Sequence, residues 1–157
     1  LCTERFGLCG LPHHKNMKTL ILIGRSGCGK SALTARLTGT KYAGGSTQSA
    51  KRTKWVIDTP GSFAENRTMA GALSLYAYEA DIVGLVISAQ EPYSIYNPNI
   101  AGMVNREVVG IVTKTDIKTG NAERAERWLR LAGCKKVFRV SLISGEGIDR
   151  LLDDLSD

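Results

Sequence analysis

The residues Gly24-Arg25-Ser26-Gly27-Cys28-Gly29-Lys30-Ser31 read G-x-x-x-x-G-K-S, the spacing of a phosphate-binding P-loop. Glycines let successive backbone N–H groups turn inward around a phosphate chain, and the N-terminus of a following helix adds partial positive charge. In such a loop Lys30 reaches the β- and γ-phosphates and the Ser31 hydroxyl ligates Mg²⁺. A second group, Asp58-Thr59-Pro60-Gly61, fits the same chemistry. Asp58 would hold Mg²⁺ through water, and the Gly61 amide can come close to a γ-phosphate because no side chain intervenes. A third, Thr113-Lys114-Thr115-Asp116, selects a base. A carboxylate accepts hydrogen bonds from guanine N1–H and the exocyclic amine, whereas adenine offers an acceptor at N1 and no amine beside it. Asp116 therefore favours guanine over adenine, and the Lys114 stem would lie along the base.

These groups need a scaffold that brings them to one edge. Apolar runs at Leu20–Ile23, Trp55–Ile57, Ile82–Ile87, Val108–Val112 and Val137–Val140 read as strands. Helical patterns cover Ser31–Leu37, Asn66–Glu79, Ala122–Leu131 and Ile148–Leu155. Strands that are apolar throughout are covered on both faces, and strand–helix alternation predicts an α/β fold with a mostly parallel sheet. The motifs then gather at the carboxyl ends of the strands. Ala89–Asn105, with Pro92, Tyr93, Tyr96 and Pro98, reads as a loop or broken helix whose tyrosines pack locally or form a docking surface.

The 157 residues suit one domain, expected over residues 17–157, with residues 1–16 as a flexible leader or extension ahead of Met17. Cys2, Cys9, His13 and His14 match no familiar zinc spacing. No apolar run reaches bilayer length, so no membrane insertion is expected. A cysteine inside the P-loop, among four in the chain, indicates a reducing, cytoplasmic setting. The net charge of +6 suits a nucleotide polyphosphate, an acidic partner or RNA, the last through Arg124, Arg127 and Arg130 at helical spacing. Cys28 has two readings: a reactive thiol activated by a helix N-terminus and Lys30, or a small apolar residue in the sheet–helix interface.

The order and spacing of these motifs resemble the small GTPase fold, a P-loop NTPase with helices on both faces of its sheet. Met17-Lys18, Ser46-Thr47-Gln48, Ile57-Asp58-Thr59-Pro60-Gly61, Glu65-Asn66-Arg67 and Gly110-Ile111-Val112-Thr113-Lys114-Thr115-Asp116 resemble, more narrowly, the EutP/PduV family, from Met17 to about Leu155. That resemblance implies a GTP/GDP-binding protein or slow GTPase with Mg²⁺, linked to ethanolamine or propanediol utilisation and to shell or pathway proteins of a bacterial microcompartment. It places Thr47 as the switch residue for Mg²⁺ and the γ-phosphate, so Lys30 and Thr47 are the catalytic candidates. Thr47 lies so near Asp58 that the second strand must be abbreviated. In GTPases Ser141-Leu142 corresponds to a Ser-Ala pair whose amide meets guanine O6; Leu142 is the larger residue. Ser62 stands where regulatory GTPases carry a water-orienting Gln, Gly27 is not the Asn of potassium-assisted enzymes, and hydrolysis is therefore expected to be slow. Arg67 would supply charge in cis or lie on a solvated face. Competing readings are a P-loop kinase using ATP on a small metabolite and a nucleotide-bound structural adaptor.

Overall fold

The computed structural model describes residues 17–41, 51–61 and 78–156. Six strands form one sheet in the order β2-β3-β1-β4-β5-β6: β1 Leu20–Ile23, β2 Lys51–Thr53, β3 Val56–Asp58, β4 Ile82–Ser88, β5 Glu107–Thr113 and β6 Lys136–Arg139. All neighbours are parallel except β2 and β3, which are antiparallel. Three α-helices stand among the described residues: α1 Lys30–Thr38, α2 Ala122–Leu131 and α3 Ile148–Leu155.

Alternation along the strands builds two cores, one on each sheet face. Leu20 and Leu22 pack with Leu33 and Leu37 of α1 and with Ile148, Leu151 and Leu155 of α3. Ile21 and Ile23 face the other way, toward Ala125 and Leu129 of α2 and Ile100. The α3 residues recur at i, i+3 and i+7, so one turn-by-turn stripe is buried. The Asn121 side chain caps α2 by accepting the Arg124 N–H at 2.9 Å, and Gly39 closes α1 in the left-handed region at φ 69°.

The second strand is three residues long, as the closeness of Thr47 to Asp58 requires. Several boundaries differ from expectation by a residue, among them β6, which spans Lys136–Arg139 and not Val137–Val140. Trp55 lies in the turn between β2 and β3 rather than in the strand, because the chain reverses there, with Lys54 at φ 53°. The loop reading of 89–105 is met by turns and a single 3₁₀ segment, Ile100–Met103. Tyr96 packs locally: it is 7% exposed, and its hydroxyl proton is shared between the carbonyls of Val86 at 2.7 Å and Ile23 at 2.9 Å. Tyr93 is exposed. Of the expected helix Asn66–Glu79, only Tyr78 and Glu79 are described, and they form a turn. Among the described residues, no helix is long and apolar enough to cross a membrane. Residues 1–16, with Cys2, Cys9, His13 and His14, lie outside the described residues, as do Thr47, Ser62 and Arg67.

Candidate nucleotide site

Chain direction around the sheet reverses between β1 and β4, and the crevice beyond the strand ends is where open α/β sheets bind ligands. The P-loop crosses this crevice from β1 to α1. Its geometry depends on glycine: Gly27 and Gly29 have φ of 80° and 98°. Gly61 is pressed so close to the Ser26 backbone that a Cβ there would overlap it, which brings the Asp58–Gly61 segment onto the P-loop.

A cavity of about 340 Å³ opens at this place. Ser26, Gly27, Gly29, Lys30, Ser31, Gly61, Thr113, Lys114, Asp116 and Leu142 all line it, so the structure gathers most of the residues that the motifs single out. At the P-loop end, the Ser31 hydroxyl donates to Asp58 Oδ2 at 2.5 Å, and Asp58 is 5% exposed. A hydroxyl and a carboxylate side by side make a hard-oxygen donor pair that fits Mg²⁺, which takes one or two protein oxygens and completes its shell with phosphate and water. Among the described residues, no group of three His, Cys, Asp or Glu side chains could hold a metal by itself.

At the other end, the Ser141 hydroxyl donates to Asp116 Oδ1 at 2.9 Å, fixing the carboxylate at the cavity wall. Ser141 is itself buried beneath it. Lys114, held at φ 58°, donates its Nζ to the Gly27 carbonyl at 2.8 Å and ties the Asp116 end of the cavity to the P-loop. Thr113 Oγ1 donates to the Cys28 carbonyl at 2.6 Å. Leu142, Ile117 and Ile143 give this end apolar walls. Ile117 and Ile143 carry no motif signal; only their places after Asp116 and Leu142 mark them.

Three site residues depart from the simple picture. Lys30 Nζ is turned into the loop, donating to the Gly24 carbonyl at 2.7 Å and the Arg25 carbonyl at 2.9 Å. Reaching a phosphate requires those bonds to break. Arg25 lies off the cavity, its guanidinium 4.9 Å from the centroid of the Tyr93 ring. Cys28 is the apolar interface residue and not the activated thiol. It is 1% exposed, and burial pushes its thiol up to about 11, outweighing the lowering by Lys30. Gly24 and Cys28 thus form the floor under the loop rather than a contact surface.

Comparison with known proteins fits this geometry. The family described as PduV-EutP, ethanolamine utilisation – propanediol utilisation, matches residues 17–157. The propanediol utilization protein PduV of Citrobacter freundii is 40% identical over 136 residues, covering 86% of this chain and 91% of that protein. GTPase Der of Syntrophotalea carbinolica is 29% identical, over 87% of this chain but only 35% of its own length. Among solved structures, a bacterial selenocysteine-specific elongation factor, EF-Sec, superposes with a TM-score of 0.63 at 20% identity, covering 89% of this chain and 28% of its own. That likeness shows the fold, a P-loop NTPase α/β sheet. With one family matched along residues 17–157 and a relative matched over nearly its whole length, the chain belongs to the PduV–EutP family.

Proposed function

We propose that this protein binds a guanine nucleotide with Mg²⁺ in the P-loop cavity and hydrolyses GTP slowly, as part of a propanediol- or ethanolamine-utilisation system. The observation that carries the reading is that one cavity has Lys30 and Ser31 at one end and Asp116 at the other. The two ends serve different parts of one ligand: phosphates by charge and backbone amides, the base by Asp116. The names of the family and its relatives supply the pathway and the nucleotide class.

On binding, Lys30 leaves the Gly24 and Arg25 carbonyls for the phosphates, where its charge is worth more. Ser31 and Asp58 would hold Mg²⁺, which neutralises charge on the phosphates. Hydrolysis joins a water oxygen to the γ-phosphorus and breaks its bond to the β–γ bridging oxygen, releasing GDP and phosphate. Lys30 stabilises the charge that develops on the leaving phosphate. Thr47 would add a ligand on the γ-phosphate side. Ser62 is too short to orient the water as Gln does, so turnover without an activator is no faster than the roughly 10⁻⁴ to 10⁻³ per second of unassisted GTPases that carry that Gln. Residues 17–157 act as one nucleotide-binding unit, and pathway or microcompartment shell proteins are the partners the family implies.

Titration with fluorescent GDP and Mg²⁺ tests the site. Lys30→Ala should weaken binding by about two orders of magnitude, the worth of one charge-assisted contact to phosphate, while circular dichroism is unchanged. Equal affinity in the variant would remove the P-loop from the account.

A further inference from the structure

Arg25 and Tyr93 touch each other outside the cavity, and nothing in the nucleotide-binding reading uses their contact. The Arg25 guanidinium stands 4.9 Å from the centroid of the Tyr93 ring. Tyr93 is 54% exposed and Arg25 is partly buried. A guanidinium at this distance from an aromatic face is held by the ring quadrupole.

The ring sits on an anchored segment. Ahead of it, Arg124 of α2 donates to the Glu91 backbone carbonyl at 3.0 Å. Behind it, the Tyr96 hydroxyl is tied to the carbonyls of Val86 and Ile23. Ile23 ends β1, two positions before Arg25, so Tyr93 is fixed beside the start of the P-loop. Arg25 in turn reaches the interior of the loop through its own carbonyl. That oxygen accepts the Cys28 N–H at 3.2 Å, closing a turn, and accepts Lys30 Nζ at 2.9 Å. Lys30 completes its inward set with the Gly24 carbonyl at 2.7 Å and Cys28 Sγ at 3.7 Å. Contacts thus run from the Tyr93 ring to the Arg25 side chain, and from the Arg25 carbonyl to the Lys30 ammonium.

We propose that Tyr93 is a positioning residue of the P-loop: by holding Arg25 it steadies the carbonyl that keeps Lys30 turned inward, and it thereby restrains nucleotide binding. The inference rests on the nucleotide-binding reading, in which Lys30 must leave that carbonyl for the phosphates. When it leaves, the Arg25 carbonyl loses a charge-assisted partner and must turn toward water or another donor. A guanidinium fixed on Tyr93 opposes that turn, because side chain and carbonyl belong to one residue. A contact that stabilises the empty arrangement more than the filled one lowers the apparent affinity by the same factor. For an exposed cation–π contact that factor is about two- to fivefold.

The test is titration of the full chain with fluorescent GDP and Mg²⁺. Tyr93→Leu keeps an apolar side chain and removes the π face, and it should bind GDP about two- to fivefold more tightly than wild type. Tyr93→Phe keeps the face and should match wild type. The gain of Tyr93→Leu should vanish when Lys30→Ala is added, because no ammonium is left to hold inward. A merely structural role of Tyr93 would not depend on Lys30 in this way. Unchanged or weaker binding by Tyr93→Leu, a gain shared by Tyr93→Phe, or a gain that survives Lys30→Ala would overturn the proposal and leave the nucleotide site standing. Absence of GDP binding by the wild type would overturn the nucleotide-binding reading and the proposal with it. If Tyr93→Leu does not fold, Tyr93→Ala makes the same comparison.

Discussion

A Cβ added at Gly24 would stand 2.7 Å from the Val86 carbonyl oxygen and 2.8 Å from Cys28 Sγ. The first glycine of the motif is thus needed for close packing of loop on sheet as well as for phosphate binding. Gly24→Ala should destabilise the fold by about 1–3 kcal/mol, measured by denaturant unfolding, because strand backbone cannot yield as a side chain can. Cys28 lies beneath the same loop, and here sequence alone left two outcomes open. Helix N-terminus and Lys30 argue for an activated thiol, burial for an inert one, and nothing in the motif tells how deep the side chain reaches. Alkylation with mass mapping at pH 8 should find Cys28 and Cys134 unlabelled in the native protein, with or without GDP, and labelled after denaturation. Burial raises both thiols, to about 11 and about 12. Labelling of native Cys28 that nucleotide suppresses would restore the reactive-thiol reading.

Among the elements, those whose apolar period is unbroken were legible before the structure. β1, α2 and α3 have the bounds that the sequence pattern predicts, since Leu20–Ile23 is bounded by Thr19 and the P-loop glycine Gly24 and the stripe Ile148, Leu151, Leu152, Leu155 has one helical phase. The two ends of the cavity were legible for the same reason, each motif standing at the end of a readable strand. What spacing could not convey is how the loops between elements pack. Ile117 and Ile143 reach the cavity only through loop conformation, and the inward turn of Lys30 depends on carbonyls that the motif does not distinguish. Tyr96 is the clearest case: a tyrosine between two prolines became a tie joining the 89–105 loop to β1 and β4. Tyr96→Phe leaves two carbonyls without that donor and should cost about 1–3 kcal/mol, lowering the melting temperature by about 2–4 °C per kcal/mol. A melting temperature equal to wild type would show that water or another donor replaces the hydroxyl.

At the scale of the whole molecule, several of the basic residues of α2 and β6 are paired with carboxylates. Arg130 and Arg139 both pair with Glu126, at 3.3 and 2.6 Å, and Lys136 pairs with Asp154 at 2.8 Å and Glu107 at 3.2 Å. Arg124 is engaged by the Glu91 carbonyl and the Trp128 ring. These pairs tie α2 and α3 to β5 and β6 at the surface. The Arg139 hydrogen bond, first among the causes, holds the Glu126 carboxyl below the usual range. A lowered folded-state pKa stabilises above the unfolded value, and that contribution is lost as pH falls through the folded one. Glu126→Gln should therefore destabilise at pH 7, by about 1 kcal/mol or less for a pair at the surface, and the gap from wild type should close toward pH 3 in thermal melts. The central claim is that one end of the cavity reads guanine, and it is tested most directly by competition. Labelled GDP bound to the full chain with Mg²⁺ should be displaced by GTP and GDP and hardly by ATP. Asp116→Asn should shift preference toward xanthine nucleotides, because the amide offers a donor to the second xanthine carbonyl. Displacement by ATP as effective as by GTP, or a guanine preference untouched by Asp116→Asn, would contradict the account.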